Sequence, residues 1–75
     1  MEGELQNALG RNLRNFREAE ELSQEAFAER LGFHRTYMAG IERGERNLTL
    51  RSVEKIADKL KIEPLLLLAG PIPRG

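Results

Sequence analysis

Arg35, Thr36, Ala39, Gly40 and Arg43 fall on one arc of a predicted helix whose opposite arc carries Met38 and Ile41, at about 100° per residue. The chemistry available to such a face is hydrogen bonding to a partner surface. Arg presents a planar, permanently charged fork of donors that fits guanine O6 and N7, or phosphate oxygens, in pairs. Gly40 costs about 1 kcal/mol relative to Ala inside a helix. Ala39 beside it also lacks bulk, at a place where a surface helix would accept Lys or Glu. A helix face depleted of bulk and flanked by Arg and Thr suits close backbone approach to the DNA major groove. Nine of the twelve basic residues are Arg, a bias toward planar recognition of phosphate or guanine.

Bond-making chemistry has little material. The 75 residues include no cysteine and one histidine, His34, so no metal-ligand set, nucleophile–base pair or phosphate loop can be assembled. His34 is read as a helix cap or a phosphate contact. No metal, cofactor or small-molecule ligand is expected, and the chain is not read as an enzyme. The formal net charge is +0, which argues against a general polyanion binder, but the charge is unevenly spread. Glu18, Glu20, Glu21, Glu25 and Glu29 outweigh Arg30 in one stretch, whereas Arg35, Arg43, Arg46 and Arg51 outweigh Glu42 and Glu45 in the next. The N-terminus lacks the basic and apolar regions of a signal peptide, and the apolar run 65–69 is far short of the roughly 20 residues that span a bilayer. A cytoplasmic location with the nucleoid, away from membranes, is expected.

The elements that must position the Arg–Thr face are all helical; no strand-type alternation, internal repeat or linker is present. Leu5, Leu9, Leu13 and Phe16 mark an amphipathic helix over about 7–20. Ser23 can cap a second helix, with Ala26, Phe27 and Leu31 inward and Gly32 as its stop. A third begins near His34 and ends at Gly44. Thr49 can cap a fourth, with Leu50, Val53, Ile56, Ala57 and Leu60 on its apolar face, and Pro64 opens a short fifth closed by Gly70. The second and third are joined too tightly for antiparallel packing and must cross steeply, with Ala28 allowing close approach. Residues 1–7 are expected to be a flexible N-terminus, 8–69 one domain and 70–75 a frayed tail.

Ser23 to Gly32 (SQEAFAERLG) and Tyr37 to Gly44 (YMAGIERG) give the sequence a resemblance to the Cro/C1-type (XRE) helix-turn-helix family over about residues 8–69. Arg35-Thr36-Tyr37 with Arg46-Asn47-Leu48-Thr49 looks most like the controller proteins of restriction–modification systems, with Leu48 in place of the proline usual in the wider family. The resemblance implies a compact five-helix, lambda-repressor-like domain in a sequence-specific transcriptional regulator, a repressor or a dual repressor–activator, whose partner is double-stranded DNA. Arg35, Thr36 and Ala39 would then contact bases, with Ala39 against a thymine methyl. Gln24, His34, Tyr37, Arg43, Arg46 and Asn47 would contact phosphate, Gln24 with help from the positive end of its helix. Tyr37 has a second reading, packing against helix two. Arg17 and Glu42 occupy the places of an internal ion pair. Glu25 and Glu29 match positions that touch RNA polymerase in the phage-repressor branch.

Four consecutive leucines, Leu65 to Leu68, cover about 300° of a helix and cannot all face one core. A chain of this length buries only about 60% of its unfolded surface, so self-association is a natural source of stability. A homodimer through Leu65, Leu67 and Leu68 is expected, and two-fold symmetry would match a pseudo-palindromic DNA site. The rival reading is a protein-interaction module of the same shape, such as the antitoxin of a toxin–antitoxin pair.

Overall fold

The computed structural model describes residues 3–69, so the 70–75 tail expected above lies outside the described residues. Five helices follow in order: α1 (Glu4–Ala19), α2 (Gln24–Leu31), α3 (Arg35–Glu42), α4 (Leu50–Leu60) and α5 (Pro64–Leu68), with no strand among the described residues. Their ends have local causes. The Ser23 hydroxyl accepts from the Ala26 amide at 3.1 Å, and the Thr49 hydroxyl accepts from the Ser52 amide at 3.0 Å, each satisfying a first-turn donor of its helix. Gly32, at φ 79°, turns the chain out of α2, and Lys59 Nζ donates to the free Leu31 carbonyl at 2.9 Å. Pro64 opens α5, where its missing amide costs nothing.

The core is formed by all five helices. Leu13, Phe27, Met38, Ile41, Ile56 and Leu67 are its largest fully buried side chains, each worth about 1.5–3 kcal/mol relative to exposure. The Phe16 ring lies against Phe27 with centroids 6.2 Å apart, joining α1 to α2. Asn12 on α1 donates its side-chain amide to the carbonyls of Leu67 (2.8 Å) and Ala69 (2.9 Å), fastening the C-terminal end of α5.

Several expectations change. Helix α1 begins at Glu4, so residues 4–7 belong to the domain and not to a flexible N-terminus. The Asn7 amide donates to the Gly3 carbonyl at 2.9 Å and closes this first turn, with Glu4 beside the positive helix end. Leu5 and Leu50 lie on the apolar stripes of α1 and α4 but are 58% and 75% exposed, at an open groove they share with Leu48, Val53 and Leu68. On α2 the inward small residue is Ala28, whereas Ala26 is exposed. Leu67 is 1% exposed and faces the core, so it cannot be an interface leucine; Leu65 and Leu66 are the outward pair, at 77% and 52%.

Candidate nucleic-acid interface

Helix α3 follows α2 through the tight turn at Gly32, and Arg35, Thr36 and Arg43 are exposed along it. His34 sits at the N-cap, and its Nδ1 accepts from the Thr36 amide at 3.3 Å. Arg35 and Thr36 are exposed in the first turn of α3, and among the described residues Arg35 makes no ion pair. Arg35 shares an open cleft with Gln24, at the start of α2, and with Ser23, Glu25 and Arg17. Ala39 is half-buried on the same helix.

Behind this face lies a carboxylate with three donors. The Glu42 side chain is only 3% exposed, and it accepts from Arg17 Nε at 2.8 Å, Arg17 Nη2 at 3.1 Å and Gln24 Nε2 at 3.0 Å. Arg17 Nη1 also donates to the Leu22 carbonyl at 2.9 Å. The hydrogen bond to Glu42 raises the Arg17 pKa above its usual value, against a smaller lowering by burial, so the guanidinium stays charged. One carboxylate thus joins α1, α2 and α3. Gln24 spends one amide hydrogen on it and keeps the other for an external acceptor.

The C-cap of α3, Arg43, and the loop after it carry further basic groups. The Arg46 guanidinium lies 5.3 Å from the Tyr37 ring centroid, and the Phe33 ring meets Tyr37 edge-on at 5.2 Å. Tyr37 therefore packs. The Arg46 stem covers Gly40: a Cβ there would come within 2.9 Å of Arg46 Nε and 3.2 Å of its Cγ. This corrects the reading of Gly40 as an open spot on the outer face, since it is buried and its missing side chain makes room for Arg46. Arg43 pairs with Glu45 at 3.1 Å, both exposed, so a phosphate at Arg43 must compete with that carboxylate. The bond from Arg43 holds Glu45 below the usual carboxylate pKa. The Asn47 side-chain carbonyl accepts from Gln6 Nε2, on the first turn of α1.

Two short helices joined by a tight glycine turn, the second presenting an exposed Arg–Thr first turn, have the form of a helix-turn-helix pair, and the chain matches the helix-turn-helix domain family over residues 8–68. The chain belongs to the helix-turn-helix family. It is 42% identical over 57 residues to the control protein C.SmaI of Serratia marcescens, covering 76% of this chain and 68% of that protein. The fold is similar to the crystal structure of the restriction-modification controller protein C.AhdI from Aeromonas hydrophila, with a TM-score of 0.72 and 44% identity over 83% of this chain and 94% of that one. It is also similar to the hypothetical transcription factor NHTF from Neisseria, with a TM-score of 0.80 and 37% identity over 89% and 77% of the two chains. The family is one of transcription regulators that bind DNA and are not enzymes.

In this helix-turn-helix protein α3 is the second helix of the pair, and the start of α2 shares a cleft with its Arg35. Gln24 and Arg35 line one cleft, Thr36 and Tyr37 share the first turn of α3 with Arg35, Arg46 lies over the Tyr37 ring, and Arg43 and Asn47 follow at the C-terminal end of α3 and in the loop after it. Glu25 and Glu29 are exposed on α2, and Leu65 lies on α5, outside this group. Among the described residues no cluster of three His, Asp or Glu has the arrangement of a metal site, and no helix is long and apolar enough to cross a membrane. Gln6 and Asn12 carry no local sequence signal, because each acts on a partner more than forty positions away.

Proposed function

We propose that the chain reads a pseudo-palindromic DNA operator as a homodimer and regulates transcription there, in the manner of a restriction–modification controller protein. The observation that carries this is the exposed Arg35–Thr36 first turn of α3, with Gln24 lining the same cleft as Arg35 and with Arg43, Arg46 and Asn47 exposed at the end of α3 and in the loop after it. Arg35 and Thr36 contact base edges and Ala39 meets a thymine methyl. Gln24, His34, Tyr37, Arg43, Arg46 and Asn47 hold the backbone and set register. Two copies related by a two-fold axis place their recognition helices roughly 34–36 Å apart, one turn of DNA. The bound dimer blocks polymerase where its site overlaps a promoter. Where the site lies just upstream, the exposed Glu25 and Glu29 offer polymerase a surface. Such a regulator works with the nucleoid in the cytoplasm.

The test is selection of bound duplexes from a random-sequence pool at near-physiological salt, read by sequencing. A recovered pseudo-palindrome is the expected result; a folded protein that enriches no motif would favour a protein partner instead. On the recovered site, Arg35→Ala is expected to cost about 1–3 kcal/mol and to erase preference at particular base pairs. Arg46→Ala is expected to weaken matched and scrambled duplexes alike and to flatten the salt dependence by about one phosphate contact. Equal losses on both duplexes for Arg35→Ala would remove it from the base readers.

The dimer contact is assigned to Leu65, with Leu66 beside it and half-buried Leu68 at its edge. Exposed leucines on so small a surface favour an interface over solvent. Leu65→Glu is expected to give a folded monomer by sedimentation velocity and to abolish cooperative occupation of the two half-sites. An unchanged mass would place the interface elsewhere.

A further inference from the structure

The loop between α3 and α4 holds Arg46 and Asn47, and the first turns of α1 press against it. Gln6 Nε2 donates to Asn47 Oδ1. Next to it, Asn7 fills the space beside Gly44: a Cβ on Gly44 would fall 3.2 Å from both Asn7 Cα and Cγ. One turn further, Gly10 lies against the backbone of α3, where a Cβ would come within 2.7 Å of the Glu42 carbonyl oxygen. Three consecutive points of α1 thus back the C-terminal end of the recognition helix and the loop that follows it. Only Gln6 reaches a side chain assigned to DNA.

An asparagine amide has an accepting and a donating end, and only the donating end serves a phosphate. Unsupported, an exposed amide rotates and offers either. We infer that Gln6 is a positioning residue for DNA binding: by donating to Asn47 Oδ1 it fixes the Asn47 amide with its NH2 group outward, toward the phosphate backbone. The inference rests on the DNA-binding reading proposed above and deepens it at one contact. Gln6 itself reads no base and sets no sequence preference.

Two measurements separate this inference from the reading on which it rests. Without DNA, the Asn47 side-chain NH2 resonances of the isotope-labelled protein are followed by NMR in wild type and in Gln6→Met, which keeps the chain length and removes the donor. Wild type is expected to show one ordered Asn47 rotamer with contacts to Gln6, and Gln6→Met averaged rotamers, with an unchanged melting temperature. An Asn47 amide equally ordered in both overturns the inference, whether or not DNA is bound.

With the selected duplex, Gln6→Met is expected to weaken binding about three- to tenfold. The loss should be the same on scrambled sequence, with no change in base preference. In an Asn47→Ala background the same change is expected to cost nothing, and Asn47→Asp, which keeps the acceptor and loses the donor, should bind at least as poorly as Asn47→Ala. Additive losses from the Gln6 and Asn47 substitutions overturn the inference and leave the DNA-binding reading standing. Absence of duplex binding by wild type overturns both.

Discussion

Glu42→Ala is expected to destabilise the domain by about 3 kcal/mol, because it leaves a largely buried guanidinium and a glutamine amide without their shared acceptor. The Arg17 and Glu42 side chains are 14% and 3% exposed, so little water is available to replace the lost bonds. A chain of this size has a total stability of roughly 4–11 kcal/mol, at about 0.05–0.15 kcal/mol per residue. The loss therefore consumes a large part of the margin and should lower the melting temperature by about 12–24 °C. Thermal unfolding followed by circular dichroism measures it. Arg17→Ala should cost a similar amount, and the double variant less than the sum of the two, since each partner is costly chiefly when left alone. A loss under about 1 kcal/mol for Glu42→Ala would show the pair behaving as a solvated surface bridge. The Arg17 pKa is raised from an already high value. Its charge therefore contributes fully at lower pH, and that contribution is lost only on strongly alkaline titration through the folded-state pKa.

Gly10→Val is expected to cost about 2–3 kcal/mol through overpacking, even though valine is the better helix former of the two. A Cβ at Gly10 would lie 2.7 Å from the Glu42 carbonyl oxygen and 2.9 Å from its carbon, as well as against the Ile41 carbonyl oxygen. These are backbone atoms at the end of α3, and no side-chain rotation can clear them. The recognition helix must move away from α1, which stretches the Arg17–Glu42 pair at the same junction. Denaturant unfolding gives the stability loss. On the proposed DNA-binding reading, duplex selection with the variant should return a motif of weaker information content, since α3 is displaced relative to α1 and the loop that follows α3. A variant of wild-type stability would mean that α1 and α3 can separate without cost.

The two predictions concern opposite cases of legibility. Arg17 and Glu42 could be paired in advance only through the family resemblance, and the structure adds that Gln24 shares the carboxylate, so a residue read solely as a phosphate contact is also internal scaffolding. Gly10 gave no signal at all. In the sequence it is a glycine inside a helical stripe, at a cost of about 1 kcal/mol with no visible return. Gly40 gave a misleading one: its small size fits a DNA-facing helix, yet what it accommodates is the Arg46 stem.

By itself the sequence determined the number and order of the helices, their caps at Ser23 and Thr49, their stop at Gly32 and the polar arc of α3. These depend on neighbours within a turn or two, and 3.6-residue periodicity and capping chemistry act at that range. Only the tertiary structure decided that Leu5 and Leu50 stay exposed, that Leu67 turns in while Leu65 and Leu66 turn out, and that Gln6 meets Asn47 and Asn12 meets the α5 carbonyls. Periodicity tells which residues share a face of one helix. Where that face ends is set by the length and crossing angle of other helices, and the partner of a polar side chain forty positions away is chosen by that same packing.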